Sequence, residues 1–256
     1  MRRLDCGAGH TESRLIPLRD NQPTSTFPII TIILIVANVI AYIAQQLNPL
    51  ITQTLTMVPA EISHGYDSRH ALMLMTDAGP QRFLPVAPHP LWITIFTSMF
   101  LHGSLLHIGG NMLYLWIFGN NIEDALGKVR FTVFYFLCGI AAAFAQILSS
   151  PSSTTPVLGA SGAIAGVLGA YYLLYPNARV LSIVPFFLAF VVEVRAAFVL
   201  GLWFVLEVIQ GFEGMGMQTG GGVAVWAHVG GFLAGVALIM LCGGRNLVAK
   251  QRRTVI

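Results

Sequence analysis

The stretch "PVLGASGAIAGVLGAYYLLYP", residues 156–176, reads as a membrane helix, yet it carries a serine in the run GASG near its start. Hydrocarbon offers a hydroxyl no water, and a polar side chain inside a span costs a few kcal/mol. The reading of the chain turns on what Ser161 does at that depth.

Composition sets the frame. Of 256 residues 55% are apolar and 10% charged, against about 25% charged in an average soluble domain. This is the balance of an integral membrane protein. Cys6, Cys138 and Cys242 form no disulfide framework and no zinc-type spacing, so no metal and no cofactor is expected. No basic stripe suits nucleic acid, and no inverted internal repeat of the transporter kind is visible.

Six apolar spans are expected, at about 27–44, 104–120, 130–148, 158–175, 196–212 and 223–242, each near the ~20 residues that cross hydrocarbon. They define an all-α, polytopic six-helix bundle over 27–243. A polar segment, 1–26, precedes it and a basic tail, 244–256, follows. The first run lacks a small-residue cleavage site and reads as a retained anchor. "HGS" at 102–104 interrupts a run too long for one span, so 91–101 is an interfacial piece. The apolar stretch "VLSIVPFFLAFVVEVR" (180–195) carries Glu193 and Arg195, and is placed along the interface ahead of span five.

With both termini inside, twelve of the fourteen Lys and Arg residues fall on the cytoplasmic side. Only Arg69 and Arg82 lie outside. The positive-inside rule then orients the bundle, with a bacterial inner (plasma) membrane as the expected location. The outer loop "GFEGMGMQTGGG" (211–222) has six glycines in twelve residues. It is either a slack linker or a lid whose apolar underside is Met215 and Met217.

Polar residues within spans carry the functional signal. His107 and Asn111 lie four apart in "HIGGNMLYLW", hence on one helix face. His228 stands near the outer end of span six, in "VAVWAHVGGFLAG". At the rise of a helix, Ser161 and His107 lie roughly 5 Å deep, His228 roughly 8 Å and Asn111 roughly 10 Å. Taken singly, each residue has a structural reading, the serine bonding its own backbone and the histidine packing. Together, at one depth on three helices, they are the parts for acyl transfer. Ser161 is the nucleophile and His228 the base that takes its proton. Asn111 and His107, with the backbone N–H at the helix start, are donors for an oxyanion. Gly162, Gly166 and Gly169 on span four and Gly231 and Gly235 on span six allow the backbones to approach.

"HGSLLHIGGN" (102–111), "GASGAIAGVLGAY" (159–171) and "AHVGGFLAG" (227–235), with the acidic "IEDALG" (122–127), resemble the rhomboids, the family of intramembrane serine proteases. The resemblance runs from about Leu15 to about Leu241. It implies a Ser161–His228 dyad, an oxyanion site to which His107 and Asn111 contribute, and supporting roles for His102, Gly159, Gly162 and Gly231. It also implies substrates that are single transmembrane segments in the lipid bilayer, cut near their outer end, usually after a small side chain. Span five and the loop before span six would be gate and cap.

The chain departs from that pattern in two places. Ala165 stands where some members have an aromatic residue stacked on the catalytic imidazole, and Ala125 where many have an arginine. What orients His228 is then open, and no intramembrane aspartate offers a third member. Glu207 within span five must be neutral or paired, and its partner is open too. Two other classes remain. A catalytically silent, client-binding relative would lack the serine or the histidine, and both are present. A transporter or channel would spread polar residues through the full depth, whereas here they gather in the outer third.

Overall fold

The computed structural model describes residues 16–67, 72–76, 79–83, 86–186, 188–214 and 224–248. Of the glycine-rich segment 211–222, residues 211–214 are described and 215–222, with Met215 and Met217, lie outside the described residues, as do the start of the N-terminal segment with Cys6, Arg69, and the terminal Lys250, Arg252 and Arg253.

Strand β1 (Ile16–Asp20) leads into α1 (Ile29–Leu47), then short α2 (Pro49–Leu55) and α3 (Pro59–His64). A hairpin, β2 (Leu72–Thr76) and β3 (Gly79–Phe83), is followed by α4 (Ile93–Thr97) and a 3-10 turn at Ser98–Phe100. The chain then runs through α5 (Leu105–Tyr114), a π segment at Leu115–Gly119, and α6 (Asn120–Leu126) as one rod. Next come α7 (Lys128–Ser149), α8 (Ser161–Leu174), β4 (Arg179–Phe186), β5 (Leu188–Arg195), α9 (Ala196–Gly214) and α10 (Val225–Leu241).

Among the described residues there are six apolar helical rods, in the expected order. By length and composition α1, α7 and α9 each suffice to cross a membrane, and 93–100 with 105–126 makes a fourth, bent by 92°. The bend falls where "HGS" breaks the apolar run. Ser104 is extended there, and its side chain accepts the backbone N–H of His107, so α5 starts one residue later. That hydroxyl satisfies one of the N–H groups that every helix start leaves unpaired.

Helices α8 and α10 are shorter, with 14 and 17 residues. At about 1.5 Å per residue, α8 is roughly 21 Å long, short of the ~30 Å of a hydrocarbon core. It sits inside the bundle, with eleven of its residues buried. It also begins at Ser161, three residues after the start at 158 that the apolar run predicts. Residues 157–160 reach it as non-helical chain, so the helical count that set the depth of Ser161 is corrected. Backbone of this kind persists at depth only where protein covers it. Here Val157 pairs with Met57 as a β-bridge, and the N–H of Gly159 donates to the carbonyl of Ser98 at 2.9 Å.

Helices α8 and α10 touch backbone to backbone. A β-carbon at Gly231 would collide with the carbonyl oxygen of Gly162, and one at Gly235 with that of Gly166. Gly169 in turn lies against the carbonyl of Phe232. Between apolar helices in lipid, such close approach is a main source of cohesion.

The stretch 180–195 is not a plain interfacial piece. It folds back as the antiparallel hairpin β4–β5, from Arg179 opposite Arg195 to Phe186 opposite Leu188. Strand β1 joins it in the order β1-β4-β5. Val, Ile and Phe dominate the stretch, and such residues favour strands over helices. The helical bundle thus carries a small sheet at one end. The acidic segment after α5 has a structural task beside it. Buried Glu123 accepts the N–H groups of Ile30 and Thr31 and the Thr31 hydroxyl, at 2.8–3.0 Å. Asp124 accepts from Ser25 and Thr26. Two carboxylates therefore serve the start of α1, whose flanking Pro28 has no N–H to give.

The glycine seam makes a prediction. Gly235→Ala should lower stability by about 1–3 kcal/mol through overpacking. Gly109→Ala should be neutral, since a β-carbon there meets nothing within 4 Å. Unfolding in detergent, followed by circular dichroism, separates the two.

Candidate active site

The seam between α8 and α10 fixes two side chains. Ser161 is the first residue of α8 and His228 the fourth of α10. Because the backbones touch one turn deeper, Ser161 Oγ lies 2.8 Å from His228 Nε2. The start of α10 is held from α7, where Gln146 Oε1 accepts the N–H of Ala227 at 3.2 Å.

The other face of the imidazole meets α9. Its Nδ1 lies 2.9 Å from Glu207 Oε2, which names the partner that the sequence leaves open. Glu207 is 1% exposed and His228 8%. An imidazole facing a carboxylate through Nδ1 carries its proton there, leaving the lone pair of Nε2 toward the serine hydroxyl. Trp203, one turn before Glu207, lies 5.9 Å from the histidine ring, tilted by 40°. Tryptophan from α9 thus flanks the ring where Ala165 on α8 supplies no aromatic face.

A cavity of about 180 Å³ opens beside these groups, lined by Ser161, His228, Glu207, Asn111 and Trp203 among others. Among the described residues Asn111 Nδ2 is buried without a hydrogen-bond partner. An unpaired buried amide donor costs about 1–3 kcal/mol, and this one lines the cavity that Ser161 also lines.

His107 comes close by another route. Gly159 has a φ of +129°, a conformation that favours glycine, and a β-carbon there would stand 2.9 Å from His107 Nε2 and 3.5 Å from Ser161 Oγ. His107 therefore lies over the loop that leads into Ser161. His102 stacks edge-on to it, with ring centroids 5.1 Å apart. The His102 ring is buried, and neither of its nitrogens has a partner among the described residues. Its backbone is clamped from α1, for Gln45 Oε1 accepts its N–H at 2.9 Å and Gln45 Nε2 donates to its carbonyl at 3.3 Å. Gly231 belongs to the α8–α10 seam against the carbonyl of Gly162, whose own missing β-carbon faces Ala142 on α7.

The structure thus gathers Ser161, His228 and Asn111 at one cavity, with His107 alongside and His102 one layer back. Sequence reasoning passes over Gln45, Gln146 and Trp203, and leaves Glu207 without a role. The polar ones shared one signal, a costly side chain inside an apolar helix.

Comparison with known proteins gives the family. The Rhomboid domain family model matches residues 89–245, more than half of the chain. Rhomboid protein 1, mitochondrial, of Saccharomyces cerevisiae is 34% identical over 150 residues, covering 56% of this chain and 40% of that protein. The human presenilin-associated rhomboid-like protein, mitochondrial, is 31% identical over 168 residues, covering 62% and 40%. Rhomboid protease GluP of Bacillus subtilis is 40% identical over 84 residues, covering 33% and 16%. The chain spans about 40% of the length of the yeast and human relatives. Both are mitochondrial by name, which points away from the bacterial inner membrane expected from the sequence and corrects it. A bias of Lys and Arg orients a bundle without saying which membrane holds it.

The clamp on His102 is testable by itself. Gln45→Leu would leave a buried N–H and a buried carbonyl unpaired, and should lower stability by about 2 kcal/mol. Thermal unfolding in detergent against the wild type measures it.

Proposed function

The chain belongs to the rhomboid family, and on that premise we propose that it is an intramembrane serine endopeptidase cutting single-span membrane proteins in or near their transmembrane segments. The observation that carries the reading is the 2.8 Å hydrogen bond between Ser161 Oγ and His228 Nε2. The catalytic unit is the helical domain 27–243.

In this reading Ser161 Oγ attacks the scissile carbonyl while its proton passes to His228 Nε2. The carbonyl oxygen becomes an oxyanion, met by Asn111 Nδ2 and by N–H groups at the start of α8, whose first turn has no intrahelical acceptors for them. His107, lying over Gly159, gives a further donor. The protonated imidazole then delivers its proton to the leaving amine. An acyl-enzyme remains, which water, deprotonated by the same Nε2, hydrolyses to free Ser161. The cavity of about 180 Å³ is below the ~300 Å³ at which pockets for drug-sized ligands begin. It supports a small side chain at the cleavage position. The substrate must unwind there, because a carbonyl within a helix is already hydrogen-bonded.

Purified protein incubated with a panel of labelled single-span substrates should cut at least one of them. Ser161→Ala should reduce cleavage to background while the protein folds as before. Asn111→Ala should lower kcat by about 10²-fold with KM little changed, since its donor acts on the transition state. Binding of substrates without cleavage by the wild type would favour the catalytically silent, client-binding alternative.

A further inference from the structure

A carboxylate inside an apolar helix is costly unless something meets it. Glu207 is 1% exposed, and His228 Nδ1 stands 2.9 Å from its Oε2. The contact lies on the far side of the ring from Ser161, so serine, imidazole and carboxylate form one line from α8 through α10 to α9. We infer that Glu207 is a positioning residue for the base, the third member of a serine–histidine–glutamate relay delivered by α9. This rests on the serine-protease reading above and extends it.

The chemistry asks for such a group. A free imidazole exchanges its proton between two nitrogens and turns about its bond to Cβ. Only the form with the proton on Nδ1 can take another at Nε2. Glu207 holds that proton on Nδ1 and fixes the plane of the ring. When Ser161 gives its proton to Nε2, the ring becomes a cation deep in the bundle, and the carboxylate beside it offsets that charge. The proton on Nδ1 stays with the ring, and the proton on Nε2 goes on to the leaving amine. Two further features fit. Ala165 supplies no aromatic face to hold the ring, and Trp203, four residues before Glu207 on the same face of α9, lies beside it. The base is also oriented only while α9 lies against α10, which ties competence to the seating of that helix.

The test uses Glu207→Gln and Glu207→Asp in the purified full chain, with a labelled single-span substrate that the wild type cleaves. Glutamine keeps the size and hydrogen bonding of glutamate and loses the charge, whereas aspartate keeps the charge and is one methylene shorter. A positioning role predicts that Gln lowers kcat by about 10²-fold with KM within about twofold, and that Asp keeps more activity than Gln. The melting temperatures should not follow that order. A purely structural role predicts the reverse, with Gln close to wild type and Asp the poorer, and that order would overturn the inference. If Gln matches the wild type while Ser161→Ala is inactive, the inference alone falls. If the wild type cleaves no substrate in the panel, the serine-protease reading falls and the inference with it.

Discussion

Backbone contact between α8 and α10 is the constraint on which the site depends. The proposed nucleophile and base must meet within hydrogen-bond reach, and Ser161 and His228 sit on two helices, 67 positions apart in the chain. Ordinary side chains keep helix axes about 8–10 Å apart. Glycines at 169, 231 and 235 remove that spacing, and the carbonyls of Phe232, Gly162 and Gly166 occupy the places of their missing β-carbons. Ser161 then needs only its own short side chain to reach His228. A larger residue in the seam would separate the pair before it altered either member.

Around that seam, four polar side chains carried by apolar helices serve groups on other parts of the chain. Glu123 serves the start of α1, Gln146 the start of α10, and Gln45 the broken backbone at His102. Glu207 serves the imidazole of His228. Among the described residues, Asn38 Oδ1, the Tyr135 hydroxyl, the His102 ring and Asn111 Nδ2 are buried without a partner. Asn111 faces the cavity beside the serine, where a substrate carbonyl would supply what the protein does not.

The bundle was legible in the sequence because apolar runs of span length have few other uses, and Ser161, His228, His107 and Asn111 stood out as polar intrusions in them. The partnership of Glu207 was not legible. It depends on how α9 is turned against α10, and nothing in the 20 residues between Glu207 and His228 sets that rotation. The hairpin at 179–195 was missed for a different reason. An apolar run without clear alternation does not separate strand from helix, and its pairing with β1 lies far away in the chain. Ala125 and Ala165 read as losses, while the structure finds Glu123 paired with α1 and Trp203 flanking the imidazole.

The central claim is that His228, through its bond to Ser161, makes one hydroxyl in the bundle a nucleophile. The most direct measurement is intact-mass and peptide mapping after exposure of the detergent-purified protein to a fluorophosphonate, which phosphonylates activated serines with loss of fluoride. The account predicts a single adduct on Ser161 in the wild type and none in His228→Ala at the same exposure. An adduct that persists at equal rate in His228→Ala, or a wild type that takes up none, would contradict it.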